Sequence, residues 1–380
     1  TEQYNLRATF EPIKSLRIDL TASKNQAESV SQFFFFDDDT IPGMYNFDSP
    51  EIYSGSFSMS FIGFNTAFVK DDDKTFDSQT FQQLRENRSV ISSRLGRMNT
   101  NSDSIFTLPD GTFYAEGYSQ QAQQTLLYSF LSAYSDSDPN KIKIKDFTQL
   151  VPLPNWNITY DGLSKLDFFK RYFKNITINH RYTSNFSVGS FTRNPSYEEI
   201  DGDPSARDQN NDFINPRQIS VASISEQFSP LINVNMTWNN SLITKLEIRQ
   251  DRNVSLSFAN NQITEIKGKE YVAGIGYRLK AVPLPFNIGG GTRKASDLDL
   301  RADFSIRNNK TIIRKIIENR NELTAGQRIL SIKFTADYRF SARLNLRAYY
   351  DRVVNNPFIS NTYPTANTNA GISLRFTLSQ

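Results

Sequence analysis

The chain has 380 residues, of which 38% are apolar and 22% charged, a balance for which a large compact soluble core is not the first reading. Its 43 Lys plus Arg against 40 Asp plus Glu leave a net charge of +3 with no basic block, which argues against a nucleic-acid partner. With no Cys and the single His180, disulfides and thiolate metal sites are excluded and His-based catalysis has almost no material.

No run approaches the roughly 18 to 20 consecutive apolar residues of a membrane helix, so only strands closed into a barrel could place this chain in lipid. Period-two alternation predicts strands at 4–10, 15–24 and 53–64. Residues 65–151 break the pattern. Within them 76–98 and 121–134 lack internal Pro and carry apolar residues at helical spacing, which predicts two amphipathic helices in an insert outside the lipid.

Strands resume at 155–160, 173–191, 218–228, 231–238, 242–258 and 262–280, with a short helix at 163–172 capping one turn. The most regular alternation follows. Leu298, Leu300, Ala302, Phe304 and Ile306 interleave with Asp299, Arg301, Asp303, Ser305 and Arg307. Leu330, Ile332, Phe334, Ala336, Tyr338 and Phe340 interleave with Ser331, Lys333, Thr335, Asp337 and Arg339. Leu344, Leu346, Ala348 and Tyr350 oppose Arg343, Asn345, Arg347 and Asp351, and Ala370, Ile372, Leu374, Phe376 and Leu378 close the series.

These segments make about thirteen strands, within a range of about 12–14, and three regions: 1–64 (strands with a long loop), 65–151 (the insert) and 152–380 (strands). Tight turns at Asn239-Asn240-Ser241 and Phe340-Ser341-Ala342 contrast with long connections at 192–216, 281–296, 309–327 and 354–365, a barrel habit. Residues 262–280 would reach roughly 60 Å at about 3.3 Å per residue, so these strands stand clear of a bilayer that about 9 to 11 residues cross. The fold class read from this pattern is an all-β membrane protein, an antiparallel transmembrane β-barrel segment with a small helical insert. A soluble sandwich with the apolar stripe in its core is the other arrangement the alternation allows.

The barrel reading gives the two faces roles. Leu300, Phe304, Ile332, Phe334, Leu344, Leu346, Ile372, Leu374 and Phe376 are assigned to lipid. Arg301, Asp303, Lys333, Asp337, Arg339, Arg343, Arg347 and Asp351 are assigned to a wet lumen, where opposite charges satisfy one another.

Other motifs reduce to ordinary roles. The acidic runs at 37–39, 71–73 and 201–203 lack the spacing of a calcium loop and read as solvated loops. Gly289-Gly290-Gly291-Thr292-Arg293-Lys294 departs from the phosphate-loop spacing and follows Pro283 and Pro285, as a flexible turn does. His180 shares a strand face with Ile176 and Ile178 and reads as a packed or girdle-level imidazole. The Asn-x-Ser/Thr triplets beginning at Asn157, Asn175, Asn235 and Asn253 fall within strands and read as polar-face residues. No cofactor and no catalytic or metal residue is nominated, and the chain reads as a non-enzyme.

The stretch Asn155-Trp156-Asn157-Ile158-Thr159-Tyr160-Asp161-Gly162-Leu163-Ser164, with Phe168-Phe169-Lys170-Arg171-Tyr172-Phe173, resembles the C-terminal region of the SprA/Sov family, the outer-membrane translocon of the type 9 secretion system in Bacteroidota. Gln227-Phe228-Ser229-Pro230-Leu231-Ile232, Lys269-Glu270-Tyr271-Val272, Thr324-Ala325-Gly326-Gln327-Arg328, Asn356-Pro357-Phe358 and Ser373-Leu374-Arg375-Phe376-Thr377-Leu378 look like the same family. The resemblance implies a passive conduit passing large folded cargo to the cell surface through a giant barrel, of which these residues form the C-terminal part. Implied partners are the rest of the same polypeptide, a PorV-like shuttle, a plug protein, a peptidyl-prolyl isomerase, lipoprotein subunits, secreted cargo, and lipid or lipopolysaccharide. The ending Leu378-Ser379-Gln380 departs from the terminal aromatic common in such barrels, and the start Thr1-Glu2-Gln3 shows neither initiator Met nor apolar leader, as in a mature product or a piece of a longer chain. A small-solute channel and a soluble β-rich adhesin are the competing functions.

Overall fold

The computed structural model describes residues 1–33, 35–37, 44–46, 51–144, 146–283, 295–339, 344–359 and 362–376. The turn at 340–342, Arg343, the Gly289 to Lys294 stretch, the acidic residues 38 and 39 and the terminal residues from Thr377 lie outside the described residues.

One antiparallel sheet of thirteen strands organises the chain. Its strands are β1 (Glu2–Ile13), β2 (Leu16–Ser31), β3 (Ile52–Ser60), β4 (Asn155–Tyr160), β5 (Phe173–Arg193), β6 (Arg217–Ile219), β7 (Val221–Trp238), β8 (Leu242–Ser257), β9 (Gln262–Pro283), β10 (Ala295–Lys315), β11 (Arg320–Arg339), β12 (Leu344–Pro357) and β13 (Thr365–Phe376). The path through the sheet visits only eleven positions. β3 and β4 share one, because both pair with β2 on one side and β5 on the other: Lys24 faces Met59 while Thr21 faces Asn155. β6 likewise extends β7 along β5.

Two expectations about strands are corrected by the register. Residues 218–228 and 231–238 belong to one strand, β7, whose pairing slips between Phe228 and Ile232. Pro230 sits in that slip, where its missing N–H costs no ladder bond. The stretch 309–327, expected to be a long loop, is strand up to Lys315 and again from Arg320, leaving a four-residue turn at 316–319. A slip between Thr311 and Ile312 interrupts the alternation there, and Asn308-Asn309 and Thr324-Ala325-Gly326 imitate loop composition.

The insert leaves the sheet after Ser60 and returns at Asn155, so residues 61–154 interrupt a single strand position rather than linking two strands. Its helices are α1 (Gln79–Met98) and α2 (Gln123–Tyr134). α1 begins three residues later than the spacing predicts, because Phe76 takes φ 56° and the Asp72 carboxylate accepts from the backbone N–H groups of Lys74 and Thr75 in a tight turn. It buries Phe81, Leu84, Arg88, Ile91 and Leu95, one stripe at helical spacing. α2 is buried all round from Thr125 to Tyr134, between α1 and the sheet. Burying each of Leu126, Leu127, Phe130 and Leu131 contributes about 1.5–3 kcal/mol, so this helix anchors the insert to the sheet. The helix expected at 163–172 is a 3₁₀ turn, Gly162–Lys165, followed by the single-turn α3 (Asp167–Lys170).

Candidate functional site: a two-faced wall and a pinned insert

Because paired positions in a ladder point to the same side, the register fixes the two faces across all eleven positions. One face carries an apolar belt: Tyr4, Leu6 and Phe10 on β1; Leu16, Ile18 and Leu20 on β2; Trp156 and Ile158 on β4; then Ile232 and Val234, Leu246 and Ile248, and Ile275 and Tyr277. Further along it runs through Leu300 and Phe304, Ile332 and Phe334, Leu344 and Leu346, and Ile372, Leu374 and Phe376. The nine residues assigned to lipid lie together on this one face. On β10 the belt covers Leu298 to Ile306, nine residues, the length of a strand crossing a bilayer.

The opposite face is polar along the same strands. Arg301, Asp303, Lys333, Asp337, Arg339, Arg347 and Asp351 all lie there, Asp303 opposite Lys333 and Lys333 opposite Asp351. Arg347 Nε donates to Asp337 Oδ1 at 2.6 Å, and Arg278 Nη2 donates to Asp299 Oδ2 at 2.9 Å. Arg307 Nη2 reaches Asp251 at 2.8 Å across Gly268, where a Cβ would stand 2.5 Å from the Asp251 carboxylate. Exposed pairs of this kind contribute only about 0.2–1 kcal/mol each, so their effect is to hydrate the face rather than to hold the sheet. Asn157, Thr159, Asn175, Thr177, Asn235, Thr237, Asn253 and Ser255 share this face, as the sequence reading held.

Accessibility reverses the ordinary order of a protein surface. Apolar Leu246 is 55% exposed while its neighbour Glu247 on the polar face is 6% exposed, and Ile232 at 43% flanks Asn233 at 5%. Along β9, Tyr271, Ala273, Ile275 and Tyr277 are exposed while Val272, Gly274 and Gly276 between them are half-buried. A contiguous exposed apolar band of this extent is rare on a soluble monomer. The whole chain exposes 22541 Å², against about 15,000 Å² for a compact soluble chain of this length.

The insert packs on the apolar face, beyond one edge of the belt, over Phe57, Met59, Phe186, Val188, Ile224, Val254, Leu256 and Ile263. Two buried charge clusters pin it there. Arg252 pairs with Glu226 through Nε at 2.7 Å, and its Nη1 and Nη2 donate to Thr66 O at 2.9 Å and Thr66 Oγ1 at 2.7 Å. Tyr182 completes this cluster, donating to Glu226 at 2.7 Å and accepting from the Gly63 backbone N–H at 2.9 Å. In the second, Arg314 is fully buried, with Nη2 2.7 Å from Glu265 and 2.8 Å from Asp71, while Lys267 Nζ lies 2.9 Å from Asp71. Asp71 is therefore a buried-pair partner, not the solvated acid its sequence suggested. Nothing local marks it, because Arg314 lies 243 residues away.

The long connection at 192–216 is ordered by the insert. Asp203 accepts from the Thr100 N–H and hydroxyl, each at 2.9 Å, and Asp212 accepts from the Ser119 N–H and hydroxyl, each at 2.7 Å. Burial pushes the Asp212 carboxyl up from the usual range, opposed by those Ser119 bonds. Burial likewise drives the phenols of Tyr128 and Tyr134 far above theirs. Tyr197, partly buried and bonded to Glu199 at 2.9 Å, is pushed up to about 12. His180 is packed: its Nδ1 lies 2.6 Å from Leu231 O, between the rings of Trp156 and Phe228. Among the described residues no group of three His, Asp or Glu side chains could hold a metal ion.

Comparison with protein-family models gives no matching family, and comparison with curated proteins gives no match.

Proposed function

We propose that this chain is a section of the wall of a large outer-membrane β-barrel, related to the SprA/Sov translocon, that serves as a passive conduit for folded proteins to the surface of a Gram-negative bacterium. The observation that carries the reading is the inverted exposure: apolar Leu246, Ile275 and Phe334 stand outward while Glu247 and Asn233 are sheltered on the other face. A soluble sandwich would bury that stripe against a second sheet. A barrel turns it to lipid and keeps the charge ladder around a wet interior.

The strand count favours a shared barrel. Eleven antiparallel positions leave β1 and β13 pointing the same way, so joining them directly would require a parallel seam. An odd number of further strands resolves this, and the rest of the same polypeptide would supply them. The long exposed edges of β1 and β13 support such partners. The charge ladder, with its ion pairs across a broad polar face, suits a wide lumen and protein cargo rather than a narrow solute filter. Shuttle, plug, isomerase and lipoprotein partners follow from the resemblance alone.

The test is purification of the tagged full-length protein from detergent-solubilised outer membrane, with mass spectrometry and imaging. Recovery as a very large barrel with shuttle and lipoprotein partners supports the translocon. A monodisperse product stable without detergent refutes the membrane reading and leaves the adhesin.

A further inference from the structure

The apolar face changes character over a single two-residue step. Across β9 to β12 one row of paired positions reads Tyr271, Ile306, Leu330 and Val354; the next row toward the insert reads Lys269, Asn308, Arg328 and Asn356; the third adds Lys267 and Lys310. One step along a strand pair is about 7 Å, so cations stand directly at the rim of the belt.

There a cavity of about 310 Å³ opens between the 71–77 segment of the insert and the sheet. Lys310 and Arg328 supply its charge, Phe76 and Phe358 its aromatic walls, and Asp73 its one acid. Lys310 Nζ sits 6.0 Å from the Phe76 ring centre, and Arg328 Nε donates to Asn308 Oδ1 at 3.1 Å. Phe358 packs over residue 326 because that residue is Gly: a Cβ there would come 2.8 Å from its ring.

The charge of the cavity is uncommitted. Lys267 is taken by Asp71 and Glu265, whereas among the described residues Lys310, Arg328 and neighbouring Lys269 form no salt bridge. Asp72 is turned to its own loop, bonded to the N–H groups of Lys74 and Thr75. Two to three cations therefore face one exposed carboxylate, Asp73, above a hydrocarbon-like wall.

We propose that this cavity binds the phosphate-bearing headgroup of an anionic lipid from the leaflet around the sheet, a reading that rests on the membrane placement proposed above. Arg328 offers a planar fork to phosphate oxygens and Lys310 a point charge. Phe76 and Phe358 cover the junction between headgroup and chains, and the acyl chains lie on Ile306, Leu330 and Val354. Free phosphate would match the cations but gain nothing from the aromatic walls or the belt, so the lipid is the occupant the geometry favours.

The test uses the full-length protein in phosphatidylcholine nanodiscs, doped with bisphosphorylated lipid A or phosphatidylglycerol, with bound lipid counted by native mass spectrometry. Flotation on a density gradient reports insertion separately. The account expects retention of phosphorylated lipid over phosphatidylcholine, a loss of about tenfold or more in Lys310→Ala/Arg328→Ala, and recovery in Lys310→Arg/Arg328→Lys. Equal retention by the inserted wild type and the alanine variant overturns the site while sparing the membrane reading. Displacement of the lipid by equimolar inorganic phosphate overturns the lipid assignment in favour of a free anion. Failure to float overturns both.

Discussion

Ile275→Arg separates a lipid-facing wall from a water-facing one with opposite expectations. Ile275 lies near the middle of the belt, opposite Thr244 on β8 and Ala302 on β10, and is 50% exposed. If that exposure is to water, an arginine there is a solvated surface change worth about 0.5 kcal/mol or less in either direction. If it is to hydrocarbon, the guanidinium near the midplane costs about 2–4 kcal/mol, roughly 30- to 700-fold in the folding equilibrium. The assay is a urea titration of the full-length protein refolding into lipid vesicles, read by tryptophan fluorescence, to which Trp156 and Trp238, both on the apolar face, contribute. Asn345→Arg, on the polar face opposite Arg339, is the control and should shift the midpoint little. Equal midpoints for the two variants refute the assignment of the faces.

The remaining predictions concern the insert and its anchors. Arg314→Ala strands Glu265 and Asp71 without their buried partner and should cost about 3–5 kcal/mol, seen as early release of the insert in limited proteolysis, whereas Arg314→Met with Glu265→Leu should be far milder. Gly117→Val forces a β-branched residue into φ 77° with its Cβ 2.2 Å from the Phe213 ring, so the 194–216 connection should detach and gain hydrogen exchange. Tyr197 should titrate by ultraviolet absorbance near pH 12 rather than 10. Because the folded value is raised above the unfolded one, its contribution is intact below pH 10 and is lost as pH rises toward 12, a loss absent in Tyr197→Phe.

Period-two alternation in the last four strands made the sheet and its two faces legible, because each side chain there reports its own face and the turns keep the register. Slips in pairing hid the rest. Pro230 divides β7 in the sequence but only bulges it in the sheet, and the bulge opposite Thr311 disguises two strand ends as a loop. Both helices were found from their 3.6-residue spacing, yet the sequence does not show that 94 residues are spliced into one strand position, because that depends on β2 and β5 accepting β3 and β4 end to end. The charge clusters were invisible for the same reason: Glu226 with Arg252 and Asp71 with Arg314 join residues far apart in the chain, and mixed charge within a strand reads as an exposed face. The cavity at Lys310 and Arg328 went unnoticed because Lys310 lies in the stretch read as a loop and Arg328 just past its end, before the strand read from Leu330.

The most direct measurement exploits the absence of cysteine from the chain. Single cysteines placed in turn at positions 298 to 307 of β10, in the protein inserted in bilayers, are treated with a water-soluble, membrane-impermeant maleimide. The account predicts rapid labelling at 299, 301, 303, 305 and 307, protection at 298, 300, 302, 304 and 306, and quenching of fluorophores at the protected positions by lipid-borne quencher. Labelling of the even positions as fast as the odd ones would contradict it.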